Sequence, residues 1–241
     1  MSDDHSGLYD LVRDNQQQAS HSELSWSGSF PKYLARVEEA PQLARNAWQR
    51  MLDMIESYGR ETVDGEPGQR RWCIFNDPFS GGQEAVYGLE EPLNQLVDVI
   101  RAGARGLGPE RRIILLHGPV GSAKSTIARL LKHGLERYTH SAAGAIYTFS
   151  WDIDGEEIPS PMNQDPLLLV PQERRVAVEE RLTHKLRAEY AIRIEGDLDP
   201  VSRFYYSQLM QRYDGDWERV MEHVRVRQFV FSEVDRVGIG T

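Results

Sequence analysis

The chain has one cysteine, Cys73, so no disulfide can form within it, and a reducing compartment is the expected setting. No apolar run approaches the roughly 18 residues that a membrane-spanning helix needs. The start, Met1-Ser2-Asp3-Asp4-His5, lacks the basic residues and apolar stretch of an export signal. Positive charge is also scarce, with 28 Lys and Arg against 37 Asp and Glu, a formal net charge of -9. A general nucleic-acid or lipid-binding face needs clustered cations, so neither partner class is expected. The histidines offer no nucleophilic triad, and no internal repeat is visible. These absences read together as a soluble, cytoplasmic protein with no membrane partner and no clear nucleic-acid partner.

With 40% hydrophobic and 27% charged residues in 241, the chain can bury a core as one large or two small domains. Residues 1–25 are polar and have little to bury, so a frayed or weakly helical arm is expected. Leu34, Val37, Leu43, Trp48, Met51, Leu52 and Ile55 recur at helical spacing. They predict two helices between residues 30 and 58, with Pro41 at the start of the second. Residues 59–69 read as a loop. Leu93, Leu96, Val97 and Ile100 share one face of a helix from residue 89 to about 104, ended by Gly106, Gly108 and Pro109. Ile113-Ile114-Leu115-Leu116 is an apolar run of the buried-strand type. A helix from 124 to about 138 should follow, then a second strand at Ala145-Ile146-Tyr147-Thr148-Phe149. Four prolines mark residues 152–171 as a long excursion. Helices are expected over about 172–190, 200–212 and 215–224, and a last apolar segment at Phe229-Val230-Phe231.

Between the first apolar run and its helix lies Gly118-Pro119-Val120-Gly121-Ser122-Ala123-Lys124-Ser125, followed by Thr126. Strand, glycine-rich turn and helix form the context in which backbone N–H groups curl around a β-phosphate and the helix points its positive end at the same charge. This is an ATP site in expectation. Lys124 would bridge the β- and γ-phosphates, the Ser125 hydroxyl would take one position on Mg²⁺, and Thr126 would flank the α-phosphate. Ala123 stands where the usual pattern has Gly. Its methyl group crowds the phosphates unless the local φ is negative. Arg101, Arg105, Arg111 and Arg112 form a local basic cluster just before the loop.

Further blocks carry a resemblance to a known family: Tyr87-Gly88-Leu89-Glu90-Glu91, Ser160-Pro161-Met162 with Pro166-Leu167, Ile194-Glu195-Gly196-Asp197-Leu198 with Pro200, and Tyr213-Asp214-Gly215-Asp216-Trp217. The last runs from His223-Val224-Arg225-Val226-Arg227 to Ser232-Glu233 and Asp235-Arg236-Val237-Gly238-Ile239-Gly240-Thr241. Over roughly residues 30 to 241 the sequence resembles the amino-terminal ATPase domain of the PrkA family, bacterial serine protein kinases on an AAA-type P-loop core. The resemblance implies an α/β fold: a P-loop NTPase core of AAA type, with a helical amino-terminal extension, helix-rich insertions and an incomplete sheet. Beyond the polar arm over 1–25, the expected division is a helical region over 26–80 and a partial ATP-binding domain over 81–241. The resemblance also implies ATP and Mg²⁺ at the loop, a protein serine or threonine as phosphate acceptor, and possible assembly with further copies. Val86-Tyr87-Gly88 would lie near the adenine, with Tyr87 and Gly88 as contacts; read without the family, the segment is a helix-entry turn with a buried tyrosine. Family members carry cysteines where this chain has Ser160, Asp199 and Ser202, with Asn163 nearby, so thiolate ligation of a metal is not expected. The Walker B acid, the sensor residues and a kinase-like region should lie beyond Thr241.

Candidates for that acid within the chain are weaker. Asp152 and Asp154 come too soon after Lys124 and read as loop aspartates where the second strand runs out; Glu233 has better separation; Glu195 and Asp197 flank a glycine and read as turn or cap residues. His117 lies beside the loop, either as a phosphate contact or as a simple strand-end residue. His184 and His223 read as helix-surface or packing residues, and Cys73 as a small buried hydrophobe. Two other functions share the same loop: an ATP-driven remodeller or protease-associated module without kinase activity, and a nucleotide-binding module that is inactive by itself.

Overall fold

The computed structural model describes residues 26–62, 70–186 and 188–232. A short strand β1 (Ser27–Ser29) leads directly into α1 (Phe30–Glu39), whose entry is set by Pro31 in the first turn. Phe30, Tyr33 and Val37 bury one face of α1. Pro41 begins a 3₁₀ turn, Pro41–Ala44, rather than the second helix. That helix, α2 (Ala47–Ser57), starts at Asn46 with a reciprocal cap: Asn46 accepts from the Gln49 N–H and Gln49 accepts from the Asn46 N–H. The expected loop after it holds a strand, β2 (Arg60–Thr62), which pairs antiparallel with β3 (Arg70–Trp72) just beyond the loop. Glycine and charge hid them, because each is only three residues long.

Helix α3 (Glu90–Ala104) has Leu93, Val97 and Ile100 on its buried face, as the periodicity predicts. Gly106 (φ 73°) follows its end in the left-handed region. Helix α4 (Lys124–Thr139) buries Ile127 and Leu130. The second expected strand is β4 (Ile146–Ile153), longer than its apolar core suggested, and it turns through Asp154-Gly155 into β5 (Glu156–Pro159). Three helices follow: α5 (Gln172–Leu186), α6 (Pro200–Arg212) and α7 (Trp217–Glu222). Asp199 caps α6 by accepting from the Val201 and Ser202 N–H groups. Strand β6 (Val224–Phe229) begins where a helix end was expected. Its Val-Arg-Val-Arg alternation carries Val224 and Val226 inward and leaves Arg225 and Arg227 exposed.

The main sheet has the order β1-β6-β4-β5, with every pairing antiparallel. Its buried face carries Tyr147, Phe149, Trp151, Val224 and Val226 and packs on α1 and on residues of α5, α6 and α7. A second core gathers α2, β3, α3 and α4 around Met54, Ile55, Phe75, Val97 and Leu130. The chain is a mixed α/β structure with helical extensions and an open, incomplete sheet, in keeping with an AAA-type P-loop core.

The first expected strand is absent. Residues 113–116 take no regular structure and pair with no strand among the described residues; Ile113 is 95% and Leu115 81% exposed. An apolar run of the buried type becomes a strand only where neighbours satisfy its N–H and C=O groups and cover both faces. Only Leu116 packs on the second core; Ile114 and Leu116 edge an apolar cavity of about 330 Å³ with Trp48, Met51, Leu96 and Leu131.

Buried polar groups tie the halves together. Arg50 of α2 is 4% exposed, and its guanidinium donates to the carbonyls of Gly144 (2.8 Å), Ala145 (3.0 Å), Leu43 (3.2 Å) and Arg45 (3.1 Å). Burial, with Arg45 close by, brings its pKa down to about 10. Arg45 pairs with Asp53 and reaches the Tyr138 hydroxyl (3.1 Å) and the Ala143 carbonyl (2.5 Å). Tyr33 donates to Asp165 (3.0 Å), whose carboxyl is pushed up by burial. No helix among the described residues is long and apolar enough to cross a membrane.

Candidate phosphate and base site

The loop Gly118–Ala123 enters α4 without a side-chain cap. The first helical bond is Ile127 N–H to the Ala123 carbonyl at 2.8 Å, so the N–H groups of Lys124, Ser125 and Thr126 have no acceptor within the helix. Bare donors and the positive end of a sixteen-residue helix suit an anion. Gly121 has φ 83°, which glycine adopts freely, and a Cβ on Gly118 would come within 2.8 Å of Ser122 Oγ. Ala123 has φ 55° and ψ 13°. The tolerance that a negative φ would have given is therefore lacking, and the methyl group sits in the left-handed region at a strain cost of about 1–2 kcal/mol.

Lys124 is folded onto its own loop. Its Nζ donates to the Pro119 carbonyl (2.6 Å), the Gly118 carbonyl (2.9 Å) and Ser122 Oγ (2.9 Å), and Ser122 donates to the Pro119 carbonyl (2.8 Å). The ammonium thus spans the mouth of the loop, on oxygens that phosphate oxygens can replace. Ser125 is exposed, Thr126 half-buried and Val120 fully exposed. One neutral hydroxyl from Ser125 suits Mg²⁺, which keeps most of its shell as water and phosphate oxygen.

Tyr87 and Gly88 lie between two anchored residues. Val86 is buried and its N–H bonds to the Phe75 carbonyl (2.8 Å). Val86 and Leu89 belong to the same second core as Leu116, Ala123 and Ile127. Tyr87 itself is 65% exposed, so the alternative of a buried tyrosine does not hold. Gly88 (φ 73°) donates its N–H to Glu90 (3.3 Å).

The sequence reading missed the residues that hold this segment. Asp77 is 1% exposed, and its carboxylate accepts from the N–H groups of Glu84 (3.0 Å), Ser80 (3.0 Å) and Phe79 (3.3 Å). Those bonds, the Glu84 one foremost, hold its pKa below the usual carboxylate value. Glu84 in turn pairs with Arg129 of α4 (2.9 Å), and Phe79 meets the His133 ring edge-on at 5.8 Å. Glu90 is held ionised chiefly by Arg71. The available signals were Asn76-Asp77-Pro78, a turn signature, and acids in the first turn of α3.

The remaining candidates are dispersed. Asp152 is a strand residue whose carboxylate lies 3.7 Å from Arg225, and Asp154 occupies the β4–β5 turn, 3.4 Å from Arg212. Asp197 accepts from Gln172 (3.2 Å), beside Gly196 with φ 102°. Glu233 lies outside the described residues. His117 is exposed next to the loop, and His184 is on α5. His223 is locked at the start of β6: Nδ1–H donates to the Asp152 carbonyl (2.8 Å) and Nε2 accepts from Tyr213 (2.7 Å). Ser160, Asp199 and Ser202 do meet, with Ser160 donating to Asp199 at 3.4 Å. Cys73 is only partly buried, and its thiol is pushed up by desolvation. The basic cluster divides into separate ion pairs, Arg101 with Asp98 (2.7 Å) and Glu56 (3.2 Å), Arg105 with Glu189, and Arg111 with Glu110 (3.9 Å).

A family model described as the PrkA AAA domain matches residues 28–241. Over 219 residues the chain is 36% identical to the ATP-dependent protease PrkA of Bacillus subtilis (strain 168), covering 90% of this chain and 30% of that protein. Over 170 residues it is 35% identical to the serine/threonine kinase YeaG of Escherichia coli (strain K12), covering 69% of this chain and 24% of that protein. It therefore spans less than a third of the length of either relative. No solved structure matches it.

Proposed function

Because the chain belongs to the PrkA AAA family, an ATP-binding P-loop module, we propose that it binds ATP with Mg²⁺ through Gly118–Thr126, Tyr87 and Gly88, as part of a protein that phosphorylates serine or threonine on another protein. The observation that carries the reading is the ammonium of Lys124 spanning a glycine loop at the uncapped start of α4. The N–H groups of residues 124–126 would take the phosphate oxygens, and Lys124 would exchange the Gly118 and Pro119 carbonyls for the β- and γ-phosphates. Ser125 would hold Mg²⁺, which supplies charge neutralisation on the phosphates. In the transfer, the bond from the γ-phosphorus to its bridging oxygen breaks, a bond to the acceptor hydroxyl forms, and the hydroxyl proton leaves to a base or to solvent. Division into an arm at 1–25, a helical region at 26–80 and an ATP-binding domain at 81–241 belongs to the same proposal, as do a cytoplasmic setting and assembly with further copies.

A second reading, ATP-driven remodelling tied to proteolysis, is favoured by the name of the Bacillus relative. The third, a nucleotide-binding module inactive by itself, is favoured by the acids the structure describes, since Asp152 and Asp154 face arginines of β6 and α6. One experiment separates the three. With γ-labelled ATP, Mg²⁺ and a serine-containing protein, labelled protein supports the kinase, free phosphate without labelled protein the remodeller, and nucleotide retention alone the binding module. Lys124→Ala should weaken ATP by about 2 kcal/mol or more, roughly thirtyfold, from loss of charged hydrogen bonds. Unchanged affinity in that variant would overturn the site.

A further inference from the structure

Resting on the reading of an ATP site at the loop, we infer that Arg71 is a positioning residue for the nucleobase: clamped by Glu90, it backs one face of the Tyr87 ring and leaves the other free to stack on the base. The Arg71 guanidinium carbon lies 4.7 Å from the centroid of the Tyr87 ring. The guanidinium is itself fixed, because Nε donates to Glu90 Oε1 at 3.1 Å, Nη2 pairs with the same oxygen, and Nη1 lies 3.9 Å from Glu61. Arg71 and Glu90 are 13% and 8% exposed, whereas Tyr87 is 65% exposed. A planar side chain carrying a rigid cation on one side and open on the other is half of a stacking site.

The anchoring reaches the segment from both ends. The Glu90 oxygen that takes Arg71 also accepts the Gly88 N–H (3.3 Å), so one carboxylate fixes both the backbone after Tyr87 and the cation against its ring. Arg71 comes from β3, whose register with β2 sets Arg71 opposite Glu61. A hairpin distant in sequence from the phosphate loop thereby governs the other end of the nucleotide. Arg71 touches no phosphate in this arrangement, and its contribution should fall on the base alone.

The test compares ATP with inorganic tripolyphosphate, by calorimetry on wild type, Arg71→Ala, Glu90→Gln and Lys124→Ala, each checked by thermal melting. Losing an ordered stacking partner should weaken ATP by roughly tenfold in Arg71→Ala. Glu90→Gln should lose several-fold in the same direction, and both variants should keep wild-type affinity for tripolyphosphate. Lys124→Ala should weaken both ligands. Equal loss of ATP and tripolyphosphate in Arg71→Ala, or no loss of either, overturns the positioning role while leaving the phosphate site intact. Wild-type protein that binds neither ligand overturns the ATP site and this inference with it.

Discussion

Ala123→Gly isolates the strain at the head of α4. The residue holds φ 55° and ψ 13°, where a Cβ costs about 1–2 kcal/mol. Glycine removes that cost but gives back about 0.5–1 kcal/mol through its greater freedom in the unfolded chain. The net gain should be about 0.5–1 kcal/mol, which raises Tm by about 1–3 °C in a chain of this size. Relief of a strain common to the free and bound forms leaves the ATP Kd within about twofold. Scanning calorimetry without nucleotide and titration calorimetry with ATP read the two quantities separately. Ala123→Val should lower Tm, since a branched side chain tolerates this region less well. A glycine variant with unchanged Tm and about tenfold tighter ATP would refute the reasoning, because the strain would then arise only on binding.

Three further outcomes follow from the packing. Glu90 has a folded-state pKa depressed chiefly by Arg71, so its contribution is complete above the unfolded value of about 4.3 and is lost as pH falls through the folded value. Wild-type Tm should therefore fall in acid, and Glu90→Gln, less stable at neutral pH, should show a shallower fall in melts from pH 7 to pH 3. Arg50→Leu leaves four carbonyls without their donor and should cost about 3 kcal/mol or more in urea unfolding, at about 1–3 kcal/mol for each group left unsatisfied; a loss under about 1 kcal/mol would mean water replaces the guanidinium. Leu115→Lys alters an 81%-exposed side chain, so stability should stay within about 0.5 kcal/mol while binding of a hydrophobic dye drops.

Helices with a wide apolar face were legible because periodicity reports burial directly: α3 and α4 begin and end within a residue or two of their expected bounds. β6 was missed although its alternation is plain, since its polar face carries two arginines and the preceding helix ends only two residues earlier. The run at 113–116 failed for the opposite reason. Its composition states what environment it needs, but a strand is a property of its neighbours as well, and none among the described residues pairs with it. The glycine turn and the helix it enters were readable because both lie in consecutive residues. Asp77, Arg71 and Glu90 were not, because their partners are reached by a turn or across a hairpin, and one sequence gives no measure of that proximity.

The contacts of Arg45 and Arg50 tie the far end of α4 to the neighbourhood of α2. Both side chains grip the chain just after that helix, at Ala143, Gly144 and Ala145, while Arg45 lies just before α2 and Arg50 within it. One clasp therefore joins the exit of α4, the helix packed beside it and the approach to β4, so that the two cores meet through charge and carbonyl oxygen as well as through apolar contact.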